Sequence, residues 1–333
     1  MANKQDSSEA IRSQRLVDNI VMIDGMSWTG KGLILPLLSS LENVDLWLNN
    51  CHYEYFIIMH GLGKIDNDAA ATLLNLYADQ DFYNLQVGRH VNYRESDLSS
   101  VQYNRFDNLM SERHANPDGD IVVEKIKKEK RILPLMTHFT LGISDLPFTT
   151  YDERLKLYIY TVRHPLLLIE SFFDRGFHNR FGSDPREFTL TVKVNDNIVP
   201  WYACNWADEY AEASTFERSI ATVNHIITTA KRTFEGLSTR NRNKILFIPF
   251  EKVTMNPNYY IDEISSRLNV NRTNNTEIIM RQANVPRESP KNYIENSRNI
   301  MEKLIKSNQV SEEYAYVFRK LCMDYESEYL ITI

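Results

Sequence analysis

The segment that decides the fold is NIVMIDGMSWTGKGLILPLLSSL, residues 19–41, and the rest of the chain can be placed relative to it. It opens with Ile20–Ile23, a continuous apolar run that is typical of a strand covered on both faces of a parallel sheet. The seven residues Gly25–Lys31 then fit the pattern G-x-x-x-x-G-K, and an apolar segment suited to a helix follows. The segment therefore predicts a buried strand, a glycine-bracketed turn and a helix in direct succession.

The glycine-bracketed turn has the groups needed to bind an anion. Its glycines let the backbone curl so that amide N–H groups point inward, and the positive end of the following helix faces the same hollow. Lys31 adds a mobile positive charge, whereas Gly32 stands where Ser or Thr normally holds Mg²⁺ in a nucleotide triphosphatase. The alternative is an ordinary glycine turn with a solvated Lys31. The predicted anion-binding residues are Gly25, Met26, Ser27, Trp28, Thr29, Gly30, Lys31 and Gly32.

The composition is that of an ordinary globular protein. The 333 residues are 43% hydrophobic and 25% charged, enough for one large α/β domain or two small ones. The net charge of −6 argues against a general nucleic-acid or anionic-membrane binder, so any anion site must be local. Cys51, Cys204 and Cys322 are few, far apart and odd in number, which favours buried thiols over a disulfide framework or a zinc site.

Residues 1–18 are predicted to be a flexible N-terminal lead-in. Residues 1–15 are polar and charged and lack the apolar core of a signal peptide. No run in the chain approaches the roughly 20 apolar residues needed to span a bilayer. A cytoplasmic location without a membrane partner is therefore expected.

Three further apolar runs predict core strands, namely Ile132–Met136, Leu157–Val162 and Ile245–Phe250. Because strands and helices alternate along the chain, we predict the α/β class, a three-layer α/β/α arrangement with a central, mostly parallel sheet. The run Glu54–Met59 is a candidate fifth strand, and Asn195–Asn197 is a candidate hairpin turn. The predicted helices cover 68–77, 165–174, 203–210, 216–234, 257–268, 290–306 and 311–330, and a turn cluster covers 116–120.

Two polar residues directly follow predicted core strands. The ligand crevice of an open parallel sheet lies at the carboxyl ends of its strands, which is where His138 and Arg163 are placed. His138 is a candidate proton acceptor near neutral pH, although a lone histidine is also common as a structural residue. Arg163 and Ser171, which lies in the following helix, are candidates for a second phosphate, because the planar guanidinium fork binds two phosphate oxygens. An Arg eight residues before a Ser is by itself a common pattern.

The polar stretch 86–105 is a candidate acceptor-binding region. It concentrates Arg, His and Tyr, a composition suited to a polar or anionic acceptor, and its alternative is an ordinary solvated surface. The segment 177–199 reads as a second polar excursion that shapes the same pocket. The predicted acceptor-binding residues are Arg89, His90, Tyr93 and Trp201.

Taken together, these segments resemble the sulfotransferases that use 3′-phosphoadenosine 5′-phosphosulfate (PAPS) as sulfuryl donor. Residues 19–41 resemble the family's 5′-phosphosulfate loop, and YTVRHPLLLIES, residues 160–171, resembles its 3′-phosphate motif. Met136-Thr137-His138 resembles the Lys-Thr-His stretch of the cytosolic branch, in which the histidine is the catalytic base. Two further segments, 200–206 and 250–257, resemble family segments that occur in this order.

The resemblance implies a single sulfotransferase domain over residues 19–333, with acceptor-binding insertions near 54–103 and 177–199. It implies PAPS as donor, 3′,5′-diphosphoadenosine as product, and no metal requirement. His138 would be the base, and Lys31 would stabilise charge on the leaving group. The basic residues that would close over the 3′-phosphate are Arg287 and Lys291, with Arg298 as a further candidate. The acceptor would be a small molecule or a carbohydrate, with no nucleic-acid partner.

The sequence departs from the family pattern at three places. Trp28 stands where an early Lys or Arg is usual, Met136 replaces the Lys before Thr-His, and His164 replaces Asp or Asn as a helix-capping residue. One rival interpretation is a phosphate-loop kinase or nucleotide triphosphatase that uses Mg-ATP, with Asp24 or Glu251 as the acidic metal partner. The other rival is a non-catalytic protein of the same fold. The helical surfaces show no pairing pattern that indicates an oligomeric state.

Overall fold

The computed structural model describes residues 8–115, 119–307 and 310–330, so part of the predicted lead-in and residues 116–118 of the predicted turn lie outside the described residues. The strands are β1 (Asn19–Gly25), β2 (Ile132–Met136), β3 (Leu155–Val162), β4 (Thr191–Val194), β5 (Asn197–Pro200) and β6 (Ile245–Pro249). The helices are α1 (Lys31–Ser39), α2 (His52–Gly61), α3 (Asn67–Gln86), α4 (Asp107–His114), α5 (Asp120–Glu129), α6 (Leu146–Tyr151), α7 (Pro165–Asp174), α8 (Ala207–Glu212), α9 (Thr215–Gly236), α10 (Thr239–Asn243), α11 (Phe250–Met255), α12 (Pro257–Leu268), α13 (Asn274–Gln282), α14 (Lys291–Ser307) and α15 (Glu312–Tyr325). Short helical turns cover Thr140–Gly142, Asp152–Arg154, Phe177–Asn179, Trp201–Trp206 and Glu326–Leu330.

The central sheet has four parallel strands in the order β2-β1-β3-β6. In this register Ile23 lies opposite Met136 on one side and Ile159 on the other. The carboxyl ends of β1, β2 and β3 therefore meet at one edge of the sheet.

Both faces of the sheet are covered by helices, because successive side chains of a strand point to opposite faces. Val21 and Ile23 pack against α1, α12 and α13. Ile20 and Met22 face the other layer with α3 and α6, and α9 extends that layer to α7, α14 and α15. The predicted three-layer α/β/α architecture with a parallel sheet is confirmed.

The connections that leave β1 and β3 place their helices on opposite faces of the sheet. After β1 the chain enters α1, whose apolar side chains pack with Val21, and after β3 it enters α7, whose Leu166 and Phe172 pack on the other side. Such a reversal opens a crevice between the two strands, and ligands of open α/β sheets bind there. The fold thus brings the Gly25–Lys31 turn and Arg163 to one crevice.

The prediction of a strand at Glu54–Met59 was wrong, since these residues lie within α2. A short apolar run does not distinguish a strand from a buried helix, and here the buried residues Tyr53 and Ile57 are four positions apart, on one face of the helix. The predicted hairpin is confirmed by the antiparallel pair β4–β5, which turns at Asn195 and Asp196.

The described part of the N-terminal segment packs against α3. The backbone N–H groups of Leu16 and Val17 donate hydrogen bonds to Asp79 Oδ1 (2.9 and 3.1 Å), and Arg12 Nε donates to Asp79 Oδ2 (2.9 Å). Among the described residues, no helix is both long enough and apolar enough to cross a membrane.

Candidate active site

The turn after β1 is fastened to the neighbouring strand β3. Gly25 and Gly30 have φ angles of 133° and 101°, a region that favours glycine. A Cβ atom at Gly25 would lie 2.4 Å from the carbonyl oxygen of Thr161, so a larger residue would push the turn off β3. Thr29 Oγ1 donates to the carbonyl oxygen of Met26 (2.6 Å) and lies 2.7 Å from Thr161 Oγ1. The turn is therefore held in one conformation before a ligand arrives.

The first turn of α1 contains the groups that were predicted to bind an anion. The amides of Lys31 and Gly32 lie among the first N–H groups of this helix, which have no intrahelical acceptor. The Lys31 side chain is only 5% exposed and donates to the carbonyl oxygens of Gly25 (2.6 Å) and Met26 (2.7 Å). Burial lowers the pKa of Lys31 to about 8, although the carboxylates of Asp24 and Glu54 act in the opposite direction. Lys31 forms no ion pair with any described residue.

Arg163 lies directly beside this turn. Its Nη1 donates to the carbonyl oxygen of Trp28 (2.9 Å), and its guanidinium lies over the Phe250 ring, 5.1 Å from the centroid. Its buried Nε has no hydrogen-bond partner within the described chain. Desolvation by burial lowers the pKa of Arg163, with Glu251 opposing the shift. The Arg287 guanidinium lies over the same ring, 5.8 Å from its centroid, so two guanidinium groups contact Phe250 beside the Gly25–Lys31 turn.

His138, at the end of β2, is oriented by Glu54 from α2. Glu54 Oε2 accepts hydrogen bonds from both the backbone N–H (3.0 Å) and the ring Nδ1 (2.9 Å) of His138. A carboxylate at Nδ1 favours the tautomer that carries its proton there, which leaves Nε2 as the proton acceptor. The arrangement suits a general base.

The two acidic residues that a metal-dependent enzyme would need are engaged in internal hydrogen bonds. Buried Asp24 accepts from Thr140 N (3.3 Å), Leu141 N (2.8 Å) and Tyr158 OH (2.9 Å). Glu251, also buried, accepts from the backbone N–H of His164 (3.0 Å) and from Tyr325 OH (2.5 Å). Both carboxylates therefore hold the strand ends in place.

His164 caps α7, as its position before Pro165 predicts. Its Nδ1 accepts from Leu166 N (3.3 Å), and its Nε2 lies 2.8 Å from Glu326 Oε1. The replacement of Asp or Asn by His at this position thus keeps the capping function.

One cavity of about 720 Å³ contains most of these groups, and its volume lies within the range of small-molecule sites. The turn, Arg163 after β3 and Phe250 after β6 form one side of it, and α2, the end of β2 and the segment 177–201 form the other. On the second side, Ile58, Phe139, Phe177 and Leu190 provide apolar walls. The predicted residues that line the cavity are Ser27, Trp28, Gly30, Lys31, Gly32, His138, Arg163, Trp201 and Arg287.

The other predicted site residues lie elsewhere. Ser171 is absent from the walls of this cavity, and its hydroxyl donates to the carbonyl oxygen of Leu167 (2.7 Å) one turn earlier in α7. Lys291 lines a separate hollow with Arg298, and His90 lines a third one. The remaining predicted residues outside the cavity walls are Gly25, Met26, Thr29, Arg89 and Tyr93.

Several residues that line the cavity were not predicted as site residues, and four of them bear on its chemistry. Glu54 is separated from His138 by 84 residues and was assigned to a strand, so no local pattern pairs the two. Arg180 and Arg186 line the cavity from the segment that follows α7, and Phe250 follows β6. Glu54, Arg180 and Arg186 lie in the segments 54–103 and 177–199 that were predicted to shape the acceptor pocket, but no pattern singled them out. Phe250 was placed inside the predicted strand 245–250, whereas it directly follows β6.

Comparisons with known proteins find similarity in structure only. Neither a family model nor a curated protein matches the sequence. A solved sulfotransferase domain from the curacin biosynthetic pathway is 13% identical at a TM-score of 0.41, and the match covers 79% of this chain and 77% of that one. A sulfotransferase domain from the Synechococcus PCC 7002 olefin synthase is 11% identical at 0.38, with 81% and 79% covered.

A sulfotransferase from Mycobacterium tuberculosis is 9% identical at a TM-score of 0.39, with 79% of this chain and 71% of that one covered. All three TM-scores lie below 0.5, so the fold class stated above rests on the strands and helices of this chain itself.

Proposed function

We propose that this protein is a sulfotransferase that moves a sulfuryl group from PAPS to a hydroxyl or amine of an acceptor. The observation that carries the proposal is the shared cavity, in which the anion-binding turn, Arg163 and the His138–Glu54 pair face the same space. The motifs that resemble the PAPS-dependent family lie at these same positions. Together they supply two cationic sites, one for each of the donor's two anionic groups, and a base for the acceptor.

The donor would be held by groups from the two strand ends that flank the crevice. The amides of the turn and Lys31 suit the 5′-phosphosulfate, because they present N–H groups and a cation that forms no ion pair with a described carboxylate. Arg163 and Arg287 suit the 3′-phosphate. Phe250, which lies under both guanidinium groups, offers a ring face to the adenine between these sites.

The reaction is an in-line transfer at sulfur. The acceptor oxygen or nitrogen forms a bond to sulfur while the bond between sulfur and the 5′-phosphate oxygen breaks, and 3′,5′-diphosphoadenosine leaves. His138 Nε2 takes the proton from the acceptor, and Glu54 stabilises the imidazolium that results. Lys31 and the turn amides stabilise the negative charge that grows on the bridging oxygen.

The competing function is a kinase or triphosphatase that uses Mg-ATP. It requires an acidic residue free to bind Mg²⁺, whereas the carboxylates of Asp24 and Glu251 already accept internal hydrogen bonds. At Gly32, where a metal-binding hydroxyl would stand, an added Cβ would lie 2.8 Å from Leu98 Cδ1. These contacts favour a donor that is bound without a metal ion.

Isothermal titration calorimetry tests the donor class directly. We expect 3′,5′-diphosphoadenosine to bind more tightly than ATP with Mg²⁺. Arg163→Ala should weaken its binding by roughly 10-fold to 100-fold, the effect of losing charge-assisted hydrogen bonds, and should weaken 5′-AMP binding much less. Tighter binding of Mg-ATP would support the kinase, and equal losses for both nucleotides would exclude a 3′-phosphate contact.

A further inference from the structure

A second hollow lies beside the active-site cavity. Its volume is about 630 Å³, and Cys51 lines both spaces. We call it the polar hollow; its walls include Trp47, Asn50, His52, Tyr77, Asp81 and His90. These come from the segment before α2, from one face of α3, and from the loop after α3.

The side chains that line the polar hollow are mostly neutral polar groups, together with two carboxylates. Amide groups of Asn50, Gln80 and Asn92 contribute donors and acceptors, and Asp81 and Asp97 contribute carboxylates. Neither lysine nor arginine lines the hollow within the described ranges. An anion would therefore meet two carboxylates without a permanent positive charge, which disfavours anionic ligands.

Several polar groups in the hollow are fixed in place and still have unused hydrogen-bonding capacity. Asp81 is 9% exposed, and its Oδ2 accepts from Asn50 Nδ2 (2.7 Å) and Tyr53 OH (2.8 Å). Its Oδ1 has no partner in the described chain and can still accept a hydrogen bond. The indole N–H of Trp47, another residue that lines the hollow, is buried and also lacks an acceptor in the described chain.

An aromatic surface lies among these polar groups. The rings of His52 and Tyr77 stack with centroids 5.0 Å apart and planes 28° apart. A sugar has an apolar C–H face and a rim of hydroxyls. The ring face suits the C–H face, and the neighbouring amides and carboxylate suit the hydroxyls.

We propose that the polar hollow binds an uncharged polyhydroxy ring, a sugar unit. Sugar hydroxyls would donate to Asp81 Oδ1 and exchange hydrogen bonds with the Gln80 amide and the His90 ring, while the C–H face packs on Tyr77 and His52. The first turn of α2 separates the two spaces and also carries Glu54, the partner of His138. This inference rests on the proposed function: the hollow would hold one sugar unit of a carbohydrate acceptor while another unit lies in the active-site cavity.

Saturation-transfer NMR on the full chain without donor tests the proposal with methyl glycosides, cyclohexanol and tetramethylammonium as probes. We expect transfer to the glycosides, little to cyclohexanol, and none to tetramethylammonium. Gln80→Ala should raise the glycoside Kd by about 3-fold to 10-fold, the effect of one lost neutral hydrogen bond. His52→Ala should raise it by a similar factor, because it removes one of the two rings on which the C–H face of the sugar packs. Asn299→Ala, an exposed amide on α14, is the matched control and should change nothing.

The proposal is overturned if folded protein gives no transfer to any glycoside, if tetramethylammonium binds instead, or if the two variants bind glycosides like the control. Because the donor is absent, the outcome is separate from the proposed function. Binding of 3′,5′-diphosphoadenosine without glycoside binding would remove only the sugar subsite, and the reverse result would remove only the sulfotransferase assignment.

Discussion

Two regions of this molecule bury positive charge, and they do so in opposite ways. Beside the amino end of β2, the side chains of Arg113 and Asp45 are both 0% exposed and form a bidentate pair at 2.8 and 2.7 Å. At the carboxyl end of β1, Lys31 is almost as deeply buried, yet only main-chain carbonyl oxygens accept its hydrogen bonds. The first cation has its counter-ion inside the protein, and the second does not.

The pKa values follow from this difference. Burial opposes ionisation of Asp45, but the Arg113 guanidinium holds the pKa of that carboxyl well below its usual range, with help from Arg131 and Gln86. Burial lowers the pKa of Lys31 to about 8, because the nearby carboxylates do not fully compensate for its desolvation. A buried charge that lacks a counter-ion is costly to the fold, and under the proposed function the anionic donor would supply the missing charge at Lys31.

The largest expected effect is on the paired region. Arg113→Ala leaves the Asp45 carboxylate buried with reduced compensation and should lower the free energy of unfolding by about 3–5 kcal/mol. Chemical denaturation measures this loss. Arg94→Ala, at an exposed ion pair, is the control and should change stability by less than about 0.5 kcal/mol. Similar small losses for both variants would abolish the distinction between the two regions.

The His138–Glu54 pair is less buried than Arg113–Asp45 and, unlike Lys31, has a carboxylate partner. We expect substitutions in this pair to change the catalytic rate more than the stability. His138→Ala should lower kcat by about 10²–10⁴-fold while the affinity for 3′,5′-diphosphoadenosine stays nearly constant. Glu54→Gln should lower kcat less and shift its pH profile, because Glu54 acts through the histidine. Single-turnover assays with PAPS and calorimetry measure the two effects. An unchanged kcat in His138→Ala would exclude it as the base.

A substitution of Lys31 tests the region whose buried cation has no counter-ion. Lys31→Met keeps the length of the side chain but removes its charge, so transfer should fall by about 10²–10³-fold, the effect typical of losing one stabilising donor. Stability should not fall, because the substitution also removes a desolvated charge. Denaturation and turnover assays on the same preparation test both expectations. A loss of stability as large as that of Arg113→Ala would show that Lys31 is structural.

The smallest expected effect is a pH dependence in which ligand affinity falls with rising pH while the contribution of Lys31 to stability rises. Above pH 8 the free protein loses the Lys31 charge, so affinity for 3′,5′-diphosphoadenosine should fall by up to about tenfold per pH unit. The contribution of Lys31 to stability should rise between pH 8 and 10.5, because there the unfolded chain binds a proton that the folded protein does not. Calorimetry and denaturation of wild type and Lys31→Met isolate both trends; parallel trends would contradict the assignment.

The sequence predicted the parts of the fold that depend on local patterns. The apolar runs that became β1, β2, β3 and β6, and the glycine-bracketed turn, all show their character within a few residues. Arg163 and His138 could be placed near the crevice because a strand end is also a local signal. Helix α2 was misread because its apolar run is too short to show which period it follows.

The rest of the candidate site depends on contacts between distant segments. Glu54 meets His138 across 84 residues, and Cys51 touches two cavities only because of how α2 packs. Ser171 was inferred from a motif, but its hydroxyl turns back to its own helix, an interaction that spacing does not reveal.

The buried carboxylate of Asp24 has a consequence for attempts to redesign this protein. It joins the end of β1 to the chain just after His138 and to Tyr158 of β3, so the Gly25–Lys31 turn and His138 are held in a fixed position relative to each other. Under the proposed function, a change of acceptor preference should therefore be sought at the β4–β5 hairpin, because replacing α2 would remove Glu54, which orients His138. An exchange of the loop around His138 that does not keep Asp24 and Tyr158 should displace both His138 and the Gly25–Lys31 turn.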